Sequence, residues 1–579
     1  MRASCSPFSP LSLLALAAIG LVGCGERRDA SISAAPAPPS GVFRDRAAEA
    51  GIVARLGHGG RSPLHILETI GHGCAWLDYD RDGWLDAFVV GNGRCFLFRN
   101  RGDGRFEERT EAAGVAIAGE FFGVATGDYD NNGFPDLYVT GFGRCALLRN
   151  DGRGRFAEVT QAAGVGARSP HDVVVAAAFA DLDGDGWLDL IATRYIRFGP
   201  EAIRFCVQNG IRTGCGVKHY DPDRPRVYRN LRGERFVDVT SAWGFDRMEG
   251  RCLGIAIAAA GASGGARVYA ANDELPADLM LPAGRRYRDD GVASSTAYNF
   301  QGLTQGGMGT DWGDFDNDGR VDLVVATFQQ EPNSLYRDIG DGLFLEVGGP
   351  LGIAEATQPY VAWTAKFLDY DNDGWLDLFF TNGHTQDNIA AVEPGRSYPQ
   401  PLQLFRNEGG RRFRLLGSEA GEAFARPIVG RGAALGDYDN DGRQDLLVVD
   451  DEGPVLLLHN QSPPARWLGI RLIGRRSNRD GIAARVTVTA GDRRWVREQQ
   501  LAGGYISGHD PRVHFGLGDC ARVDAITVRW PSGTIDRVRQ VETNRYLEIT
   551  EGRGLTDGMT TPRAAPTGDA PAPRRSAPR

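Results

Sequence analysis

Six short stretches of this sequence place oxygen-bearing side chains at alternate positions beside a glycine turn. The first runs Asp78-Tyr-Asp80-Arg-Asp82-Gly-Trp-Leu-Asp86. As D-x-D-x-[DN]-G-x-x-D it returns with Asp128, Asp130, Asn132 and Asp136, then with Asp181, Asp183, Asp185 and Asp189. It comes again with Asp314, Asp316, Asp318 and Asp322, with Asp369, Asp371, Asp373 and Asp377, and with Asp437, Asp439, Asp441 and Asp445. The Gly at position 6 permits the positive φ of a sharp turn, so positions 1, 3 and 5 converge and the acid at position 9 closes the shell. Position 7 can add its backbone carbonyl. Such hard oxygens suit Ca²⁺, which takes about 6–8 of them at about 2.3–2.6 Å; Mg²⁺, which keeps several waters, is second choice. The loop is not an EF-hand, because a Glu at position 12 and flanking amphipathic helices are missing.

Charge balance points the same way. The six loops hold 23 Asp and one Asn at these positions, within a chain of formal net charge −9. Clustered carboxylates repel strongly unless a cation lies among them. Six Ca²⁺ would add 12 charges and bring −9 to +3, so the acidity reads as internal metal ligation. The ions, about six, are expected to be structural, each clamping one hairpin. The acidic balance argues against a nucleic-acid partner.

The elements that must carry these loops are short β-strands. Glycine reaches 78 of 579 residues, and Asp, itself a turn-former, dominates the acids. Each unit has an apolar run before the loop (CAWLD), one after it (LDAFVV), a third at L-x-R-N, and a fourth at a recurring Phe (Phe106, Phe156, Phe236, Phe344, Phe413). Units recur at 50 to 78 residues, and four strands per unit is a propeller blade. A seventh copy lies between the third and fourth loops, with Ala259, Gly261, Ser263 and Arg267 in place of acids and Gly264 on the loop glycine. The segment GVFRDRAAEAGI (41–52) matches the end of a unit, whereas the last unit stops at His459-Asn460 without that piece. The expected fold is all-β: a seven-bladed propeller over 41–461, closed by its N-terminal strand.

From Trp467 to Thr550 the repeat gives way to alternating strands, predicting a small second β-domain over 466–551. Residues 555–579, rich in Ala, Pro and Arg, read as a disordered tail. At the other end, Arg2 and the apolar run Leu11 to Val22 form a signal peptide (1–23), too short to span a bilayer as a helix. Leu21-Val22-Gly23-Cys24 resembles the bacterial lipobox, which implies lipidation of Cys24, a flexible tether over 24–40 and export to an envelope membrane, with the outer membrane preferred. An oxidising compartment makes Cys206 and Cys215, in one loop, the candidate disulfide.

The acidic loops resemble the FG-GAP/VCBS repeats of integrin α-subunits and bacterial surface proteins. The fuller pattern, with ETIGHGCAWLDYD (68–80), YAANDELPADLM (269–280) and MGTDWGDFDNDG (308–319), is similar to bacterial members of the cartilage acidic protein family. That resemblance implies a seven-bladed propeller with Ca²⁺ in its hairpin loops, and the fourth repeat departs from it. NRDGIAARVTVTAG, GGYISGHDPRVHFGLGD and ITVRWPSG resemble the ASPIC/UnbV domain, for which no settled activity is implied.

Other motifs have blander readings. Arg101-Gly102-Asp103 falls where the repeat wants a G-D-G hairpin turn, Trp84, Trp187 and Trp375 read as blade packing, and His509, Asp510 and His514 as a turn and strand. There is no G-x-S-x-G, H-E-x-x-H or P-loop, and His65, His72, His171, His219 and His384 show no triad spacing. The expected function is therefore a non-enzymatic, Ca²⁺-stabilised envelope lipoprotein that binds proteins or glycans as an adhesion module. The insertions 196–225 and 383–401 are its candidate contact loops. The alternative is a propeller enzyme of hydrolase, lyase or quinoprotein type, with its site at the channel mouth.

Overall fold

In the first repeat the four apolar runs become Cys74–Leu77, Asp86–Gly91, Arg94–Asn100 and Phe106–Glu108, paired antiparallel in that order. The first two are buried along their whole length, as strands covered on both faces must be. This is a computed structural model, and it describes residues 41–91, 93–199, 202–261 and 265–556. Among the described residues six further antiparallel sheets follow; the one beginning at Cys252 carries an extra short strand, and the last takes its outer strand from Phe43–Asp45. Among the described residues, the fold is all-β with only short helices.

Among the described residues no single sheet closes on itself; packing between sheets makes the propeller. The innermost strands Cys74–Leu77, Glu120–Gly127, Val174–Ala180, Cys252–Ala259, Thr310–Gly313, Ala362–Leu368 and Gly430–Gly436 neighbour one another in turn, and the last returns to the first. The first and last sheets share one apolar cluster, with Trp76 stacked on Tyr438. Phe43–Asp45 pairs with Leu456–Asn460, Phe43 opposite Asn460, so the N-terminal strand is the outer edge of the seventh sheet.

The Asn of L-x-R-N staples neighbouring sheets. Its backbone N–H donates to the position-9 Asp, and its amide donates to the carbonyl at loop position 2 of the preceding sheet. Asn150 reaches Tyr79 O at 2.9 Å, Asn230 reaches Tyr129 O at 2.8 Å, and Asn407 reaches Phe315 O at 2.8 Å. Asn100 reaches Tyr438 O at 2.8 Å, joining first sheet to last. In the fourth sheet the Tyr287 hydroxyl takes this part, donating to Leu182 O at 3.0 Å.

The C-terminal segment forms two four-strand sheets around an apolar core that includes Trp495, Phe515 and Trp530. It is not set apart from the propeller: the described residues from Gly41 to Thr556 pack as one compact unit. Its loop enters the central channel and hydrogen-bonds the innermost strands. Gly504 exchanges both backbone bonds with Thr310 at 2.8 Å, Ile506 O accepts from Val124 N, and Gly508 N donates to Cys74 O. Channel-wall glycines make room, since a Cβ on Gly73 would lie 1.9 Å from Ile506 O and one on Gly309 2.4 Å from Gly504 O. Tyr505 reaches furthest, donating to Ile70 O at 3.0 Å and packing on Trp363.

One expected boundary is corrected. Leu555 and Thr556 belong to strand Gly554–Thr556, paired with Arg545–Thr550, so order continues past 551 where a tail was expected. The signal peptide, Cys24, the tether, Ser263, Gly264 and positions 557–579 lie outside the described residues.

Candidate functional site

Each acidic loop joins the two inner strands of its sheet, and strand geometry turns the acids inward. In the first loop Asp78, Asp80 and Asp86 offer oxygens within 4.8 Å of one another; Asp128, Asp130 and Asp136 do the same, as do Asp181, Asp183 and Asp189. Positions 1, 3 and 9 therefore meet. Position 5 serves the turn instead: Asp82 accepts from Trp84 N, Asn132 from Phe134 N, Asp185 from Trp187 N, Asp318 from Arg320 N, Asp373 from Trp375 N and Asp441 from Arg443 N. The Gly at position 6 donates to the position-1 acid, as Gly133 does to Asp128 at 2.7 Å.

The donor set suits a hard cation. Asp78 Oδ1, Asp80 Oδ1, Asp314 Oδ1, Asp369 Oδ1 and Asp439 Oδ1 are buried without a hydrogen-bond partner, even where the other oxygen meets a cation, as Asp80 Oδ2 meets Arg99; a buried carboxylate oxygen left unmet is costly. Burial, aided by neighbouring acids, pushes Asp78 up to about 6, Asp181 and Asp314 to about 7 and Asp128 to about 8. Asp86, Asp136, Asp189, Asp322, Asp377 and Asp445 are all held well above the ordinary carboxylate value, chiefly by burial.

Sequence reasoning missed a second charge partner. The Arg of L-x-R-N, read there as a strand marker, folds back onto positions 3 and 5. Arg99 pairs with Asp80 at 2.5 Å and Asp82 at 2.6 Å, Arg149 with Asp130, Arg229 with Asp183 and Asp185, Arg337 with Asp316, and Arg406 with Asp371 and Asp373. Its fixed place in every acidic unit but the last was the available signal. There His459 stands instead, its Nδ1 3.6 Å from Asp439 and 3.3 Å from Asp445.

The fourth loop has the opposite sign. Arg267 pairs with Ala258 as Asp136 pairs with Gly127, so it occupies position 9. Its guanidinium lies 3.9 Å above the Trp312 ring and 4.0 Å from Asp338, within the field of Glu498. Glu498 comes from the C-terminal segment and accepts from Ala259 N at 2.8 Å.

That segment covers the acidic-loop face. Asp480 accepts from Asp128 N, Arg512 donates to Asp437 O, Tyr546 hydrogen-bonds Asp437, and His514 meets Asn372 at 2.6 Å. His509 is saturated between Leu435 N and Gly503 O, and Asp510 is bound to Arg512 and Asp437 N, so this trio ties the two parts together. Trp84, Trp187 and Trp375 pack on the hairpin-turn glycines Gly102, Gly233 and Gly410, which places the Arg101-Gly102-Asp103 triplet in such a turn.

At the opposite mouth, where innermost strands begin, lies a cavity of about 270 Å³. Both insertions roof it. The hairpin Phe205–Gln208 and Ile211–Gly214 carries the Cys206–Cys215 disulfide. It meets the second insertion through Asn209 to Val392 O at 3.1 Å and Asn388 to Arg212 O at 2.8 Å. Among the described residues Cys74, Cys95, Cys145, Cys252 and Cys520 are unpaired and buried.

Two family models match parts of the chain. An FG-GAP-like repeat family matches residues 78–139, 128–192 and 314–380, and the ASPIC and UnbV family matches 474–556. Cartilage acidic protein 1 of Homo sapiens is 26% identical over 342 residues, covering 57% of this chain and 48% of that protein. The Xenopus tropicalis protein of that name is 29% identical over 315 residues, covering 51% and 44%. The chain thus spans about half the length of the curated relatives it matches. Among solved structures, YCF48 from Cyanidioschyzon merolae aligns at 11% identity and TM-score 0.37, over 70% of this chain and 98% of that one. An Agrocybe aegerita lectin that recognises terminal N-acetylglucosamine aligns at 15% and 0.36, over 62% and 84%.

Proposed function

For a chain that carries FG-GAP-like repeats and an ASPIC and UnbV segment and is homologous to cartilage acidic protein 1, we propose the role of a calcium-stabilised binding protein without enzymatic activity, exported and held at an envelope membrane by a lipid on Cys24. Its partner is a protein or glycan outside the cytoplasmic membrane. The observation that carries the calcium reading is the row of orphaned, buried carboxylate oxygens in the acidic loops. Asp at positions 1, 3 and 9 would hold the ion, with the position-7 carbonyl and water completing a shell of hard oxygens. The bound ion supplies charge neutralisation and ties the hairpin; the L-x-R-N Arg neutralises the outer acids. The export reading rests on the leader and Leu21-Val22-Gly23-Cys24.

The test is a Ca²⁺ titration of the chain from Gly41 onward, by native mass spectrometry alongside thermal unfolding. Six retained ions and a large rise in melting temperature are expected, since a ligand at 100 times its Kd adds about 2.7 kcal/mol per site. Zero or one ion with no thermal effect overturns the reading. Labelling of the full chain with a fatty-acid analogue, lost in Cys24→Ser, tests the anchor.

A further inference from the structure

The roofed cavity is chemically unlike the rest of the propeller. Four carboxylates line it, Asp273, Glu274, Glu331 and Glu393; among the described residues no Lys or Arg lines it, and the neighbouring Arg431 is engaged by the His384 carbonyl at 3.1 Å. Asp273 is engaged by the Tyr195 hydroxyl at 2.6 Å and Glu331 by Gly306 N at 2.8 Å. Glu274 meets only the exposed Lys218, at 3.2 Å through Oε1, and its Oε2 is buried without a hydrogen-bond partner. Phe328 and the edge of Trp363 left by Arg431, which stacks on that ring at 4.2 Å, supply aromatic surface.

Two further polar groups in the lining have nothing to bind. Gln329, 9% exposed, leaves its Oε1 unpartnered. His384, 1% exposed, accepts from Gln386 N at 2.9 Å through Nδ1, which puts its proton on Nε2, and Nε2 has no hydrogen-bond partner. Unmet acceptors, one unmet donor, aromatic surface and an excess of negative charge in a recessed, partly open space define a ligand by complementarity.

We propose that this cavity binds a small organic cation, an ammonium or guanidinium on a short apolar stem that also carries an acceptor oxygen. The cationic head meets Glu274, Glu331 and Gln329 Oε1, the stem lies against Phe328 and Trp363, and the oxygen accepts from His384 Nε2. The roof of two interlocked insertions makes the ligand a free small molecule. A bare divalent ion would leave His384 and the aromatic faces unused, and a neutral sugar would leave the carboxylates unanswered. This inference rests on the reading of the chain as a binding protein and is independent of the metal loops.

Isothermal titration calorimetry on the calcium-loaded chain from Gly41 onward tests it, with ion count and melting temperature measured first on the same sample. The probes are N-acetyl-arginine amide and N-acetyl-citrulline amide, equal in size but differing in charge. The arginine probe is expected to bind about tenfold or more tightly, the usual worth of a charged hydrogen bond. Glu274→Gln, at a partly exposed side chain, should erase most of that preference with ion count and melting unchanged; Glu331→Gln should do the same. Equal binding of the two probes, binding of neither to the folded protein, an unaltered preference in both variants, or competition by CaCl₂ at this site overturns the proposal. A changed ion count with the probe preference intact would instead count against the calcium reading alone.

Discussion

Six hairpin loops of this propeller gather negative charge, and the fourth carries a positive charge at the same place. In the six, the Asp side chains at positions 1 and 9 are buried, in the first three loops the position-3 acid converges on them, and several of these oxygens go unmet. In the fourth, Arg267 stands at position 9, facing Glu498 from the C-terminal segment and the Trp312 ring. The strand pairing at position 9 is alike in both, Arg267 standing opposite Ala258 as Asp136 stands opposite Gly127. What the loop needs is therefore a balanced charge, not a particular residue. A built-in guanidinium with a partner from elsewhere in the chain is the fourth sheet's answer; a bound ion is the proposed answer of the others.

Removing calcium should separate the two kinds of loop most sharply. With EGTA the melting temperature should fall steeply, by the loss of about 2.7 kcal/mol per site formerly held at 100 Kd; amide exchange should rise in the acidic hairpins and stay unchanged in the fourth. Uniform exchange would break the comparison. The metal-free chain should also show an inverted pH response. Asp78, Asp181 and Asp314 are raised from 3.8 to about 6, 7 and 7. A raised carboxyl binds more protons folded than unfolded, so its stabilisation is present in acid and lost as pH rises from about 4 to 7. Thermal melts in EGTA across that window should decline with pH, and calcium should abolish the decline.

Arg267→Met should be the converse experiment. It strips Glu498 of its main buried counter-charge at a cost of about 3 kcal/mol, read by urea denaturation in saturating calcium, and the ion count should not change. Tyr505→Ala, which withdraws the channel loop's anchor, should cost a similar or smaller amount, about 3 kcal/mol, again without altering ion count. Within a single loop, Asp86→Asn should drop one ion, whereas Asp82→Asn should keep it, because position 5 serves the turn and is already Asn at 132. Native mass spectrometry distinguishes them.

The smallest expected effect lies away from both kinds of loop. Glu551 accepts from Arg475, Arg476 and Ser477 N–H groups and from Ser532, and although burial alone would raise it, these bonds lower it to about 2. A depressed carboxyl stabilises the fold above its ordinary value of 4.5, and that contribution is lost as pH falls toward 2. Glu551→Gln should flatten that part of the acid-denaturation curve.

The repeat was legible because strand alternation and Asp/Gly turns are local. The loops and the missing acids near Ala259 follow from short-range pattern, and the pairing of Phe43 with Asn460 from the repeat piece that the first segment has and the last unit lacks. The role of Arg99 and its counterparts was visible as a recurrence but not as a charge partner, since their reach back over the hairpin depends on strand register. His384 looked like one of several scattered histidines. Only folding brings it beside Gln329, Glu274 and Glu331, which come from two other sheets and their connections.

Local chemistry in the sequence was enough to determine the all-β repeat, the acid positions and the odd fourth unit, because turns and two-residue periodicity need no distant partner. The tertiary structure alone decided three things: that the C-terminal loop fills the channel, that Glu498 answers Arg267, and that two insertions meet to roof an acidic cavity. Each joins residues more than a hundred positions apart, and such meetings are set by packing geometry, which carries no local signature.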